Sequence, residues 1–281
     1  MNAIQSVKCA QLDLLIELKR LCEKYEINYF LIGGTLIGAI RHDGFIPWDD
    51  DIDVGMLRSD YEKFRVVCAK DLCSEYKLYN WENDNKSPLP FLKLKITGTH
   101  YREELAENTD MNDEIFIDIF PFDNAPDSLF LQTLQASSIY LIRKILLLKC
   151  GFSIDRGNRI KKLLYGILKT ISSIASVPFW KKCCTSIMNA YNNRETSEVV
   201  NMCGAYSYKK ELKKKELLTK TVPHLFEKQF FSVPEQYDTY LREIYGDYME
   251  LPPKDERIGR HGVSFVDLGK YKIKCQEIGV N

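Results

Sequence analysis

Net charge is the first thing this chain of 281 residues lacks. Lys+Arg and Asp+Glu both total 39, so there is no global field to gather nucleic acid, no such partner is expected, and any basic surface must be local. Cys-x-x-Cys is also missing, and the nine cysteines are scattered and odd in number, which argues against both a disulfide framework and a zinc ribbon. The neighbouring pair Cys183-Cys184 reads as packing. No charged segment followed by an apolar core opens the chain, so no secretory signal is visible, and a cytoplasmic, reducing setting is the expectation. No uninterrupted apolar span reaches about twenty residues, and no repeat or low-complexity tract stands out. With 45% hydrophobic and 28% charged residues, the composition is that of an ordinary globular enzyme, one large domain or two small ones.

The stretch that organises the rest runs from Tyr29 to Val54. An apolar run, Tyr29 to Ile32, stops at Gly33-Gly34 and is followed by residues able to start a helix. Glycine accepts backbone angles that other residues resist and lets a phosphate approach amide groups that a Cβ would shield. Four aspartates, Asp49, Asp50, Asp51 and Asp53, then fall within five positions. In an extended segment Asp51 and Asp53 share a face while Ile52 and Val54 point into a core. Two carboxylates side by side repel unless a cation lies between them, so the pattern predicts a hard divalent ion, Mg²⁺ or Mn²⁺, carrying a substrate phosphate. Arg41 and His42 lie close enough in sequence to touch that phosphate, and arginine suits bidentate contact. The bland alternative is a solvated acidic loop after an ordinary turn. It does not explain apolar residues between the acids.

The run Gly33-Gly34-Thr35-Leu36-Ile37-Gly38-Ala39-Ile40-Arg41-His42-Asp43-Gly44-Phe45-Ile46-Pro47-Trp48-Asp49-Asp50-Asp51-Ile52-Asp53 resembles the signature of LicD-type phosphotransferases, the group that includes the fukutin proteins. That group lies in the nucleotidyltransferase superfamily of DNA polymerase β. The resemblance implies a mixed α/β (α+β) nucleotidyltransferase core with a mixed sheet, a helical insertion and a C-terminal cap.

Elsewhere, the helical period over Ile4 to Tyr25 predicts an opening helix that covers the sheet. Ser59 to Cys68 reads as a helix with Ser59 as N-cap and Glu62 in capping-box spacing. Phe91 to Ile96 alternates as a half-buried strand, with Lys93 and Lys95 on one face, either exposed at an edge or binding substrate phosphate. Ile115 to Pro121 is an apolar strand containing one acid, Asp118, which needs a partner or a metal; by resemblance it is the third catalytic acid. Asp123, past the proline, reads as a turn residue. From Arg143 to Lys182 ten Lys or Arg face the single acid Asp155, and two basic amphipathic helices are predicted around 129–150 and 160–175. They dock on an anionic membrane surface or pack as a hairpin on the core. A strand and turn are expected over 201–208. The stretch from Leu225 to Pro253 again resembles the family, with Arg257, Arg260 and His261 as candidates to close over the site.

The expected division is a catalytic core at 1–127, a basic helical insertion at 128–190 and a closing C-terminal part at 191–281. As the resemblance implies, the reaction moves a phosphorylated small alcohol from a CDP-linked donor to a hydroxyl of a glycan or lipid-linked oligosaccharide. Phosphocholine from CDP-choline is the best-known case; ribitol and glycerol phosphate are alternatives. The setting is lipopolysaccharide, capsule or teichoic acid assembly, in the cytoplasm or peripherally at the inner membrane face. Asp51, Asp53 and Asp118 are assigned to catalysis and metal, and Asp49, with Asp50, either assists a second ion or caps the strand. Gly33, Gly34, Thr35, Arg41 and Lys93 are assigned to donor phosphate. The rivals are transfer of a nucleoside monophosphate and a non-catalytic glycan-binding subunit.

Overall fold

The computed structural model describes residues 3–103, 113–152, 159–257, 259 and 262–275. Helix α1 (Ala3–Lys24) leads to a short strand β1 (Phe30–Leu31), helix α2 (Gly33–His42), strand β2 (Asp53–Leu57) and helix α3 (Arg58–Asp71). Strands β3 (Tyr76–Asn80), β4 (Leu92–Ile96), β5 (His100–Glu103) and β6 (Phe116–Asn124) follow. Then come α4 (Leu129–Lys149), α5 (Arg159–Ser173) and α6 (Val177–Met188), and the chain returns through β7 (Glu198–Val200), α7 (Tyr208–Glu211), β8 (Leu212–Lys214) and α8 (Glu216–Thr219). Strands β9 (Thr221–Phe226) and β10 (Gln229–Pro234), helix α9 (Tyr237–Tyr245) and strand β11 (Val263–Asp267) complete it.

The main sheet runs β1-β2-β6-β4-β3, with β7 and β8 added beyond the end of β6. Among the described residues only β2 and β6 pair in parallel; the rest of the ladder is antiparallel, so the sheet is mixed. The centre of the sheet goes to β6 because its run Phe116-Ile117-Asp118-Ile119-Phe120 is apolar on both faces but for one acid, as a strand covered on both sides must be. Helices α1 and α3 pack side by side against these strands. Their apolar stripes bury Leu12, Leu15, Leu18, Tyr61, Phe64 and Val67, which gives the opening helix the covering role its periodicity predicts.

Three local readings change. Helix α3 begins at Arg58 with Leu57 as its N-cap and no side-chain cap; Ser59 lies inside it, and Glu62 pairs with Arg58 and Arg65 rather than closing a capping box. Strand β4 is internal, so Lys93 and Lys95 are buried rather than exposed at an edge. Asp123 is not in a turn: it is a fully buried strand residue, held by a bidentate bond from Arg58 at 2.7 and 2.8 Å and by Asn192 at 2.6 Å.

Among its described residues the insertion has three helices, not two. Pro178 at the start of α6 masks the apolar period, although it suits the first turn of a helix. The buried faces of α4 and α6 pack together, and α6 is locked to the core by the Lys181 ammonium, which donates to the carbonyls of Trp81 and Asp84. Arg143 of α4 donates to the carbonyls of Met202, Cys203 and Gly204. The strand expected over 201–208 ends earlier, at Val200; an Asx turn follows, in which Asn201 Oδ1 accepts from the amides of Cys203 and Gly204. No helix among the described residues is long and apolar enough to cross a membrane.

Candidate active site

Strand β1 ends at Leu31, and the chain turns through Gly33, whose φ of +61° lies in the left-handed region. Helix α2 starts there, with Ile32 as an N-cap that offers no side-chain acceptor to the first amides. A Cβ on Gly33 would stand 2.7 Å from Asp53 Oδ2, and one on Gly34 would stand 2.1 Å from Asp49 Oδ2. The two glycines are therefore required by close approach: two carboxylates lie directly against the start of a helix, where the macrodipole favours negative charge.

Strand β2 opens on Asp53, fixed from both sides. Its amide donates to Thr35 Oγ1 at 2.8 Å and its carbonyl accepts from the Ile32 amide at 3.1 Å. Asp118 is its register partner on the parallel strand β6, and Lys93 is the partner of Asp118 on β4. Residues distant in sequence thus line up as Asp53, Asp118, Lys93 across three adjacent strands. The Lys93 ammonium donates to Asp118 Oδ1 at 2.7 Å and stands 3.3 Å from the centre of the Phe116 ring. Ile52 and Val54 are fully buried while Asp51 and Asp53 keep some exposure, the alternation expected although regular strand pairing starts only at Asp53.

Burial holds the Asp53 carboxyl well above the usual range, and Asp51, Asp118 and Asp49 push it further; Lys93 is the one opposing charge among the principal causes. Burial also raises Asp118, against the pull of Lys93. Lys95, behind Lys93 on the strand, is lowered to about 8 by burial and then by Lys93. The site is thus a crowd of acids with less positive charge than ionisation of all of them requires.

Asp49 faces the glycine turn, whereas Asp50 is turned inward, its Oδ2 accepting from the Tyr101 hydroxyl at 3.3 Å and its carbonyl from Gln11 at 3.0 Å. Arg41 binds backbone: Nη1 donates to the carbonyls of Tyr248 and Glu250, tying α2 to the segment after α9. Burial and the neighbouring Arg257 lower its pKa. Arg257 in turn lies 5.4 Å over the Trp48 ring, so the C-terminal part does reach the acidic turn. Arg260 and His261 lie outside the described residues.

Sequence reasoning missed Lys8 and the tyrosines of the C-terminal part. Lys8 donates to the carbonyls of Ile46 and Pro47 beside the acidic turn; burial lowers its pKa against the pull of Asp49, Asp50, Glu227 and Asp51. The signal was there: Lys8 and Gln11 continue the stripe of Leu15, Leu18 and Cys22, so two polar groups sit on the core side of α1. Tyr240 and Tyr245 of α9 lie close enough to Asp53 for its charge to raise both hydroxyls, although burial is the larger cause in each. Tyr206 meets Tyr245 edge to face at 5.7 Å, and Lys210 stands 4.2 Å above the Tyr206 ring.

Among the described residues no three acidic, His or Cys side chains already stand as a finished metal cage. The donor chemistry nevertheless fits a hard divalent cation: oxygen ligands only, several like charges, and a helix start cleared of Cβ atoms beside them.

A family model described as "LicD/FKTN/FKRP, nucleotidyltransferase domain" matches residues 26–138, the segment carrying every one of these acids. The lipopolysaccharide cholinephosphotransferase LicD of Haemophilus influenzae is 30% identical over 260 residues, which cover 89% of this chain and 92% of that protein. This chain belongs to the LicD family. The ribitol 5-phosphate transferase FKRP of mouse is 30% identical over 99 residues, 34% of this chain and 17% of its own length, and its human counterpart is 29% identical over the same span. The LicD likeness to Haemophilus influenzae therefore extends through the helical middle, where the sequence motifs alone show little resemblance.

Proposed function

We propose that this LicD-family chain is a phosphotransferase that moves a phosphorylated small alcohol, phosphocholine first, from a CDP-linked donor to a hydroxyl of a glycan or its lipid-linked precursor. The observation that carries the reading is the cross-strand row Asp53, Asp118 and Lys93 at the Gly33-Gly34 turn. Mg²⁺ or Mn²⁺ held by Asp51, Asp53 and Asp118, with Asp49 beside them, would neutralise the diphosphate and stabilise attacking and leaving oxygens. The amides of Gly33 and Gly34 at the start of α2 are placed to receive a donor phosphate, with Thr35 holding Asp53 in register. Lys93 supplies positive charge, and we keep Arg41 as a further contact from the end of the same helix. The acceptor oxygen attacks the phosphorus bonded to the alcohol, the P–O bond to CMP breaks, and the hydroxyl proton passes to a carboxylate. Asp118 is our candidate where it is not committed to the metal, since burial already raises its affinity for protons.

Phosphocholine comes first because the relative matching nearly the whole chain is a cholinephosphotransferase, whereas the ribitol phosphate transferases match a third of it. Tyr206, which meets Tyr245 edge to face, agrees. Quaternary ammonium groups are recognised on aromatic faces, and Tyr206 already carries a cation on its ring. Tyr206→Ala should raise KM for a choline donor by about 2- to 30-fold, from the ~0.5–2 kcal/mol of such a contact, and leave a glycerol donor unchanged. Steady-state kinetics with both donors checks this.

A panel of CDP-choline, CDP-ribitol, CDP-glycerol, CTP and ATP with Mg²⁺, with and without glycan acceptor, tests the reading. Metal-dependent CMP release from one CDP-alcohol is the expected result. Pyrophosphate release from CTP or ATP would instead establish nucleotidyl transfer, which the same acids could serve, and silence throughout would favour a donor outside the panel or a glycan-binding subunit.

A further inference from the structure

Helix α4 is apolar on two sides rather than one: its core side buries Ile139, Ile142, Ile145 and Leu146. Its core-facing side carries two glutamines, each engaged: Gln132 donates to the Pro126 carbonyl and to Glu198, and Gln135 donates to the Ile187 carbonyl while accepting from the Tyr208 hydroxyl. Its outward stripe, at spacings of four and seven, is Phe130, Leu134 and Leu141, exposed by 75%, 55% and 43%. Ile167 and Ile174 of the α5 region and Phe179 of α6 are exposed as well. Eight of the fourteen large hydrophobic side chains exposed among the described residues fall between Leu129 and Phe179. Such clustering marks an interaction surface rather than scattered exposure.

Charge selects the occupant. Asp155 is the only acid between Ser128 and Arg194, an asymmetry that a chain of zero net charge does not show elsewhere on this scale. Of the basic residues there, Arg143, Lys149 and Lys181 are spent on backbone carbonyls, but Lys169 of α5 and Lys182 of α6 are exposed and Lys144 is half-buried on α4. Exposed apolar side chains and exposed lysines on the same helices, without acids among their described residues, suit an interface that is greasy within and negative at its surface.

We propose that the outer face of α4, α5 and α6 docks peripherally on an anionic lipid bilayer, with Phe130, Leu134, Leu141, Ile167, Ile174 and Phe179 inserted at the headgroup boundary and Lys144, Lys169 and Lys182 facing the headgroups. The inner faces of α4 and α6 remain packed on the catalytic core, so docking and the packed hairpin are two sides of one insertion. The inference rests on this surface alone and stands or falls independently of the reaction proposed above.

The test is co-sedimentation of the full chain with phosphatidylcholine vesicles, with and without phosphatidylglycerol, for the wild type, a Phe130→Asp/Leu134→Asp variant and a Lys169→Glu/Lys182→Glu variant. Wild type should bind the phosphatidylglycerol vesicles, less at high salt, and bind phosphatidylcholine alone weakly. The lysine variant should lose about fivefold or more per charge removed. The apolar variant should lose binding to both vesicles while keeping its thermal midpoint. Failure of the wild type to bind anionic vesicles, or binding by both variants equal to that of the wild type, would overturn the proposal. So would wild-type self-association, measured by light scattering, that the apolar variant abolishes, since the face would then belong to a second copy of the chain.

Discussion

Asp53→Asn should abolish transfer, by about 10³-fold or more given the several kcal/mol a metal-held charge clamp supplies, and should at the same time make the metal-free protein more stable. Both effects come from one cause. Asp53 is held above the usual carboxylate range by burial and then by Asp51, Asp118 and Asp49, so its ionised form is a strain on the folded state. A group whose folded pKa is raised contributes stability below its unfolded pKa, near 4, and that contribution is lost as pH rises through the folded value. The metal-free wild type should therefore lose stability over that window, and the D53N variant should lose less. A gain of about 0.5–2 kcal/mol is expected near neutrality, the range typical of relieving a functional strain. The amide that donates to Thr35 belongs to the main chain, so the fold should survive. Thermal midpoints across pH, with and without Mg²⁺, check the claim: Mg²⁺ should stabilise the wild type and leave the variant unmoved. Retained activity, or an equal Mg²⁺ shift in both proteins, would remove Asp53 from the metal site.

Arg58→Met should destabilise the fold by about 3–5 kcal/mol, the cost of leaving one partner of a buried ion pair alone. Asp123 is fully buried and accepts two bonds from Arg58, whose own side chain is 13% exposed. The pair joins the start of α3 to the far end of β6, the strand that carries Asp118, so its loss loosens the sheet behind the site. Pairing the change with Asp123→Asn should recover much of the loss, because Asn192 can still donate to the remaining side-chain oxygen. Urea denaturation of the single and double variants measures both. A single variant within about 1 kcal/mol of wild type, the range of surface pairs, would mean the pair is not buried as described.

The acids of the site were legible because their chemistry is local. Gly33-Gly34 and the Asp-Ile-Asp alternation carry their own geometry, and Asp118 announces itself as the one charge in an apolar strand. What could not be read was register. Nothing in Phe91 to Ile96 says that Lys93 stands opposite Asp118; that follows only when β4 is placed between β6 and β3, which also turns a half-exposed alternation into a fully buried strand. The same blindness put Asp123 in a turn, since its partner Arg58 is 65 residues away. Lys8 was hidden for a related reason: a lysine near a helix start usually faces water, and only the acidic loop folded over α1 gives it carbonyls to bind. For the insertion, sequence left docking and packing as alternatives, because the period of α4 shows an amphipathic helix without showing that apolar residues lie on both its inner and its outer side.

The central claim is that phosphorus bonded to the alcohol ends on the glycan. The most direct measurement follows it by ³¹P NMR, with purified protein, CDP-choline, Mg²⁺ and a glycan acceptor in one tube. A new phosphodiester signal on the acceptor, growing in step with CMP and missing in the D53N variant, is the predicted result. A nucleotide-linked acceptor with free phosphocholine, or a diester that forms equally in the D53N variant, would contradict it.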